Sequence, residues 1–167
     1  MRNEFQYKVK EFSSSVSQAL LLEILALNQE NTPEVGSLGS IKELQNLVTQ
    51  SSNNYYISLN DTVIAFMICF RERSSYHSDN YKFFSKKENK FLYVDRIAIK
   101  DTYRRKGIAK NLYSIIQMHA NAESMPLCCE VNIIPLNQIS IKFHEDFGFS
   151  QVGKNHFIDH SVAYFQK

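Results

Sequence analysis

The chain has 167 residues, a formal net charge of +2 and a hydrophobic content of 44%. This length predicts one domain, residues 1–167, with a core of its own. We expect neither a membrane span, which needs roughly 20 apolar residues, nor a signal peptide. The three cysteines, an odd and low number, favour a reducing, cytoplasmic setting. The near-neutral charge argues against a surface that binds nucleic acid throughout.

The first third of the chain carries strand and helix signals in turn. Residues 5–9 alternate between apolar and polar and predict a first strand. Apolar residues at helical spacing predict a helix over residues 13–28. Ser40, followed by Glu43 three residues later, resembles a capping box. A second helix is therefore expected to begin directly after Ser40.

A β-hairpin is expected next, because two apolar runs flank the turn residues 60–62. Residues 71–90 show no clear period and are aromatic-rich, so they predict a long loop. Such a loop is either a binding loop or a surface excursion. Residues 91–100 then predict an apolar strand that carries one acidic residue, Asp95.

A basic loop separates this strand from an amphipathic helix. The loop and the first turn of the helix contain Arg104, Arg105, Lys106, Gly107 and Lys110. Exposed backbone N–H groups at a helix start, surrounded by cations, are typical of an anion-binding site. The alternative for the cations is an ordinary solvated loop, and the alternative for Gly107 is a simple turn glycine.

The C-terminal third predicts a strand at residues 127–133, a helix, and two final strands. Asn137 is suited to cap the start of that helix, and Gly148 is suited to end it. In total the sequence predicts a mixed α/β (α+β) domain with about seven strands and about four helices.

Two motifs carry a resemblance to a known family. They are the loop Arg104-x-x-Gly107-x-Ala109 and the downstream run Asn137-x-x-Ser140-x-x-Phe143-His144-x-x-Phe147-Gly148-Phe149. Together they resemble the GNAT N-acetyltransferase superfamily, whose signature is Gln/Arg-x-x-Gly-x-Gly/Ala. The resemblance extends over essentially the whole chain. The chain also resembles a bacterial branch of this superfamily. It implies a central, mostly antiparallel sheet and acetyl-CoA as co-substrate, with no metal.

The resemblance also implies which residues bind acetyl-CoA. Arg104 would anchor the loop or contact a phosphate, and Asn137 would meet the pantetheine arm. The pyrophosphate would be held by backbone N–H groups of the loop and helix start, namely Arg105, Lys106, Gly107, Ile108, Ala109 and Lys110. The backbone of Ile97, Ala98 and Ile99 would pair with pantetheine much as an added strand does.

For the chemistry, the resemblance implies direct attack of an amine on the thioester in a ternary complex. Asp95 is the candidate base, since an alkylamine is mostly protonated at neutral pH. The alternative is that Asp95 forms a structural ion pair. The family commonly places a tyrosine general acid at the position of His144. His144 would donate as an imidazolium, or else is a surface histidine.

The acceptor remains open among small amines, amino acids, aminoglycosides and protein N-termini. The residues expected to line its side of the site are Asn28, Glu30, Tyr76, Asn80, Tyr81 and Tyr93. We expect no nucleic acid or membrane partner, and a homodimer stays open. Two alternatives to an enzyme are a catalytically silent acyl-CoA-binding sensor and a nucleic-acid-binding module.

Overall fold

The structure is a computed structural model that describes residues 6–167. Within this range there are five α-helices and one seven-stranded sheet. The helices are α1 (Gln18–Glu30), α2 (Ile41–Gln50), α3 (Asp79–Lys87), α4 (Ile108–Ala122) and α5 (Gln138–Phe147). The strands are β1 (Val9–Glu11), β2 (Asn53–Leu59), β3 (Thr62–Arg71), β4 (Leu92–Ile99), β5 (Leu127–Ile134), β6 (Ser150–His156) and β7 (Ser161–Gln166). None of the helices described is long and apolar enough to cross a membrane.

The sheet has the order β1-β2-β3-β4-β5-β7-β6. Its strands pair antiparallel except β4 and β5, which are parallel. One hydrophobic cluster joins α4 to the sheet through residues such as Leu112 and Ile116. A second cluster, with Leu21 of α1, Leu44 of α2 and Phe84 of α3, covers the other face. The result is a helix–sheet–helix sandwich, which confirms the predicted fold class.

Several local signals act as the sequence predicts. The Ser40 hydroxyl accepts a hydrogen bond from the Glu43 N–H (3.2 Å), and Asn137 Oδ1 accepts one from Ser140 N–H (3.1 Å). Gly148 ends α5 with φ +100°, a left-handed conformation that favours glycine. The hairpin between β2 and β3 turns at residues 60 and 61, both with positive φ.

The structure differs from the sequence prediction mainly between residues 71 and 90. This segment contains α3, whereas the sequence predicted a loop, so there are five described helices rather than about four. Ser78 caps α3 by accepting a hydrogen bond from Tyr81 N–H (3.4 Å). Tyr81 and Phe84, three residues apart, bury one face of the helix. The helix is too short to repeat its apolar spacing, which explains why no period was seen.

The N-terminal boundaries also shift. β1 begins at Val9, later than the predicted strand at residues 5–9, whose first residue lies outside the described range. α1 begins after Ser17, whose hydroxyl accepts a hydrogen bond from Leu20 N–H (3.2 Å). Because Ser17 satisfies one of the free N–H groups of the first turn, it sets the start of the helix there rather than at residue 13.

The parallel pair in the centre of the sheet is short. Residues 92–94 of β4 pair with residues 127–129 of β5, and beyond them the two strands separate. At the same point β4 contains a bulge: Val94 pairs with Cys69 and Arg96 with Ile68, so Asp95 is the extra residue. The separation and the bulge together open the sheet where a site can form.

Candidate active site

A cavity of about 600 Å³ lies where β4 and β5 separate. Residues 94–97 of β4 form one wall and residues 129–132 of β5 form the other. The cavity is also lined by residues 32–37 after α1, by Tyr76, Ser78 and Asn80, by Tyr113 of α4, by Asn137, Ser140 and His144, and by Asp159 and His160. A cavity of this size and polarity suits a small-molecule site.

The Glu130 side chain of β5 lines this cavity, and its carboxyl group accepts hydrogen bonds from two side chains. The Tyr93 hydroxyl donates to Glu130 Oε2 (2.6 Å), and Asn80 Nδ2 donates to Oε1 (3.3 Å). The Asn80 amide is held in turn by the Tyr164 hydroxyl, which donates to its Oδ1 (2.9 Å). Glu130 is thus fixed in orientation by residues from β4, α3 and β7.

Burial and the neighbouring Asp95 carboxylate raise the pKa of Glu130 to about 8, although the Tyr93 and Asn80 donors oppose the rise. A carboxyl group with such a pKa can exchange a proton near neutral pH. Sequence analysis did not single out Glu130, because the run from Leu127 to Ile133 has the pattern of a buried strand.

Asp95, the predicted base, is engaged at both of its oxygens. The Tyr76 hydroxyl donates to Oδ1 (2.8 Å), and Arg96 Nε donates to Oδ2 (2.8 Å). The Asp95 and Arg96 side chains are 5% and 7% exposed, so this is a buried ion pair. The structural ion pair that the sequence left as an alternative is therefore present.

The Arg96 guanidinium also ties β4 to the segment after α1. Its NH1 group donates to Asn28 Oδ1 (2.8 Å) and to the Gly36 carbonyl (3.1 Å). Asn28 Nδ2 donates to the same carbonyl (3.1 Å). Through these bonds Arg96 holds the residues 32–37 that form part of the cavity wall.

His144 lies at the base of the cavity beside Tyr113. Its Nδ1 lies 2.7 Å from the Ser140 carbonyl, which can only accept, so Nδ1 carries the proton. In the neutral ring, Nε2 then accepts a hydrogen bond from the Tyr113 hydroxyl (2.8 Å). Burial lowers the pKa of His144, with partial opposition from the Ser140 carbonyl. This environment disfavours the imidazolium form on which the predicted role as acid depends.

The basic loop has the geometry of an anion site. Gly107 precedes α4 with φ +81°, and no side chain among the described residues caps this helix start. A Cβ at Gly107 would meet no atom within 4 Å, so the loop is open on that side. Arg105, Lys106 and Lys110 are exposed around it. The first N–H groups of α4, including those of Ile108 and Ala109, are those that an α-helix leaves without an intrahelical partner and that can bind an anion.

Arg104 links the basic loop to β4, to the end of α1 and to Asp101. Its Nε donates to the Ile99 carbonyl (3.3 Å), and its NH2 group donates to Asn31 Oδ1 (3.0 Å). NH1 forms an ion pair with Asp101 (3.1 Å). These contacts fit the anchoring role that was one of its two predicted roles.

The edge of β4 that faces the opening holds the predicted pantetheine-binding residues. In the described part of the chain, Ile97, Ala98 and Ile99 pair with β3 on one side and with no strand on the other. Asn137, at the start of α5, lines the cavity on the opposite wall. The unpaired edge of β4 leaves backbone hydrogen-bonding groups free of a neighbouring strand, as strand addition by a ligand requires.

The residues predicted to bind the acceptor divide into two groups. Tyr76 and Asn80 line the cavity. The other four lie outside the cavity lining. Asn28 is buried against Arg96, and Tyr93 is buried next to Glu130. Tyr81 is buried and its hydroxyl donates to the Arg71 carbonyl (2.7 Å), whereas Glu30 is exposed at the end of α1. These four support or surround the site rather than form its surface.

Solved structures resemble the fold over nearly its full length. Arabidopsis thaliana NAA60 in complex with acetyl-CoA superposes with a TM-score of 0.74 at 15% identity, covering 97% of this chain and 98% of that chain. The NatC complex bound to Gag peptide and CoA gives 0.73 at 17% identity, with 97% and 98% covered. The Escherichia coli ribosomal-protein-S18-alanine N-acetyltransferase gives 0.69 at 14% identity, with 96% and 92% covered.

At these identities the superpositions establish the fold alone. No curated protein sequence matches the chain. The sequence profile of the acetyltransferase (GNAT) family, however, matches residues 21–149, a range that includes the basic loop, Glu130 and α5. The chain therefore belongs to the GNAT acetyltransferase family.

Proposed function

We propose that this protein is an acetyl-CoA-dependent N-acetyltransferase that moves an acetyl group to a primary amine by direct attack in a ternary complex. The observation that carries the proposal is the Glu130 carboxyl group, which has a pKa of about 8 and lies in the cavity between β4 and β5. Family membership supplies acetyl transfer in general, and Glu130 supplies the base that an amine acceptor needs.

The residues present fit acetyl-CoA. The uncapped start of α4 at Gly107 and the exposed cations around it suit a pyrophosphate. The unpaired edge at Ile97–Ile99 suits the amides of pantetheine. Arg104 would fix the loop, and Asn137 would face the pantetheine arm from the opposite wall. Bound there, acetyl-CoA supplies an acetyl group activated as a thioester.

Glu130 is assigned the role of base. It takes a proton from the ammonium form of the acceptor and leaves a nucleophilic amine. Its raised pKa lies closer to that of an alkylamine than an ordinary carboxyl pKa does, so the transfer is less uphill. Tyr93 and Asn80 hold the carboxyl group in place. Asp95 raises the pKa of Glu130 through its charge, and its ion pair with Arg96 keeps that charge fixed.

The Tyr113–His144 pair is assigned to the leaving thiolate. Tyr113 lines the cavity, and its one hydroxyl proton, which His144 Nε2 accepts in the unliganded structure, would turn to the leaving thiolate. His144, held by the Ser140 carbonyl, orients that hydroxyl. In this proposal His144 is a positioning residue, and the hydroxyl comes from α4 rather than from α5.

An amine screen that follows CoA release tests the proposal, with Glu130→Gln as the comparison. We expect at least one primary amine to be acetylated by the wild type, and the rate to fall about 10²- to 10⁴-fold in Glu130→Gln. Acetyl-CoA binding with no turnover of any amine would support the silent sensor instead. A wild type that does not bind acetyl-CoA would remove the proposed function altogether.

A further inference from the structure

The charged groups of the cavity are strongly unequal in sign. Four carboxyl groups belong to its lining, those of Glu34, Asp95, Glu130 and Asp159, and Glu130 is charged once the pH exceeds about 8. Among the described lining residues, Arg96 is the single lysine or arginine. The balance matters because the acceptor must enter this space together with whatever charges it carries.

The charge of Arg96 is already balanced within the protein. Its Nε is bound to Asp95, and its NH1 group is bound to Asn28 Oδ1 and to the Gly36 carbonyl. The side chain is 7% exposed, and the ion pair with Asp95 cancels its charge. Besides His144, which is buried at the base of the cavity, the remaining basic group of the lining is His160, whose Nδ1 lies 2.6 Å from Asp159 Oδ1. Among the described lining residues, Arg96 and His160 are therefore each already paired with a carboxylate of the protein.

We infer that the acceptor is a cationic amine that bears no carboxylate on the carbon next to its nitrogen. This inference rests on the proposed function, because it takes Glu130 as the group that meets the amine. In a free amino acid the α-carboxylate would lie within roughly 5 Å of the Glu130 carboxyl group. In a partly buried site such a like-charge approach to the ionised form of Glu130, the form that acts as base, lowers affinity by about tenfold or more, so the comparison is made above about pH 8.

The mouth of the cavity adds to the same preference. Glu34 lies in the segment after α1, and Asp159 lies between β6 and β7, so carboxylates approach the mouth from two elements. Asp159 is 84% exposed, so solvent and salt screen its effect. These two residues therefore favour entry of a cation, while the region around Glu130 decides which amine reacts.

The test uses three acceptors of matched size: alanine, alaninamide and isopropylamine. Alanine carries the carboxylate, and the other two do not. Alaninamide has a less basic amine than alanine, and isopropylamine has a more basic one, so amine basicity is separated from charge. We expect kcat/KM for both carboxylate-free amines to exceed that for alanine by about tenfold or more. Turnover of alanine equal to that of both would overturn the inference.

Two variants and a control assign the effect to the cavity. Glu34→Gln and Asp159→Asn should each narrow the discrimination by a few-fold at low salt, because each removes one charge at the mouth. Asp61→Asn removes one charge at the distant hairpin turn and should leave the discrimination unchanged. An equal change in all three variants would point to net charge rather than to the cavity.

Binding keeps the inference testable where turnover is slow. Calorimetric titration of the same three amines into the protein saturated with CoA should give the same order of affinity. Stronger binding of alanine would overturn the inference whatever the rates are. If the order of binding holds but no amine of the wider screen releases CoA, the proposed function fails and the charge preference of the cavity stands.

Discussion

The Tyr93 hydroxyl of β4 donates a 2.6 Å hydrogen bond to Glu130 Oε2 of β5, next to the point where the two strands separate. Tyr93 and Glu130 belong to neighbouring strands whose pairing ends one residue before Glu130. The bond fixes the Glu130 carboxyl group against the last paired residues while leaving it at the cavity. The position and the raised pKa of Glu130 are thus set by the same junction.

Glu130 should give the acetylation rate a characteristic pH dependence. The carboxylate form is the base, so kcat/KM should rise with pH through about 8. Glu130→Gln should lose this rise together with most of the activity. Tyr93→Phe removes a donor that lowers the pKa of Glu130, so the rise should move to higher pH. A rise that persists in Glu130→Gln would assign it to another group.

Glu130 should also make the folded state less stable as pH increases. Its folded pKa is about 8, above the ordinary 4.5, so between these values the folded state binds more protons than the unfolded state. The free energy of unfolding then falls by up to about 1.4 kcal/mol per pH unit from this group. Urea unfolding at several pH values should show this slope in the wild type and a flatter one in Glu130→Gln.

Gly107→Ala should weaken acetyl-CoA binding. The left-handed φ of +81° disfavours any side chain, and a shift of the loop would misdirect the N–H groups of α4. Titration should show an affinity lower by about tenfold. Gly148→Ala is the matched control, since its φ is +100° but it ends α5 away from the loop. An equal loss of affinity in both would argue against the anion site.

Asp95 and Arg96 should be coupled in stability. Asp95→Asn leaves a buried guanidinium without its counter-charge, which costs about 3–5 kcal/mol. The double variant with Arg96→Met should lose less than the sum of the single variants in denaturant unfolding. Asp146→Asn breaks the exposed pair with Lys142 and should change stability little. If Asp95 is the base after all, Asp95→Asn will abolish the pH-dependent rise in kcat/KM.

His144 should remain neutral at a pH where an ordinary histidine, with a pKa of about 6.5, is half protonated. Burial lowers its pKa, so its contribution to stability is lost as the pH falls from 6.5 through the folded value. NMR of the imidazole ring should show the neutral form with the proton on Nδ1 at about pH 6.5. Observation of an imidazolium at that pH would restore the predicted acid role.

The parts of the fold that were predictable are those controlled by neighbouring residues. Asn137 and Gly148 bound α5, and residues 60 and 61 make the hairpin, because caps and turns depend on chemistry within a few positions. The two motifs placed the family for the same reason. Helix α3 was missed because its nine residues give too few repeats for a period.

The carboxyl group proposed as the base was less predictable because its environment depends on distant contacts. Asp95 stands out in an apolar strand, but Arg96 beside it and Tyr76, from the segment before α3, engage both of its oxygens. Glu130 stands in an equally apolar strand. Its exposure to the cavity follows from where β4 and β5 part, and no local pattern encodes that point.

The short pairing between β4 and β5 divides the sheet into two parts. The part with β1 to β4 and the part with β5 to β7 are joined by backbone pairing between residues 92–94 and 127–129. A ligand bound between the unpaired edges of β4 and β5 would therefore contact both parts of the sheet. Because a ligand that binds the folded state stabilises it, the melting temperature should rise with acetyl-CoA occupancy.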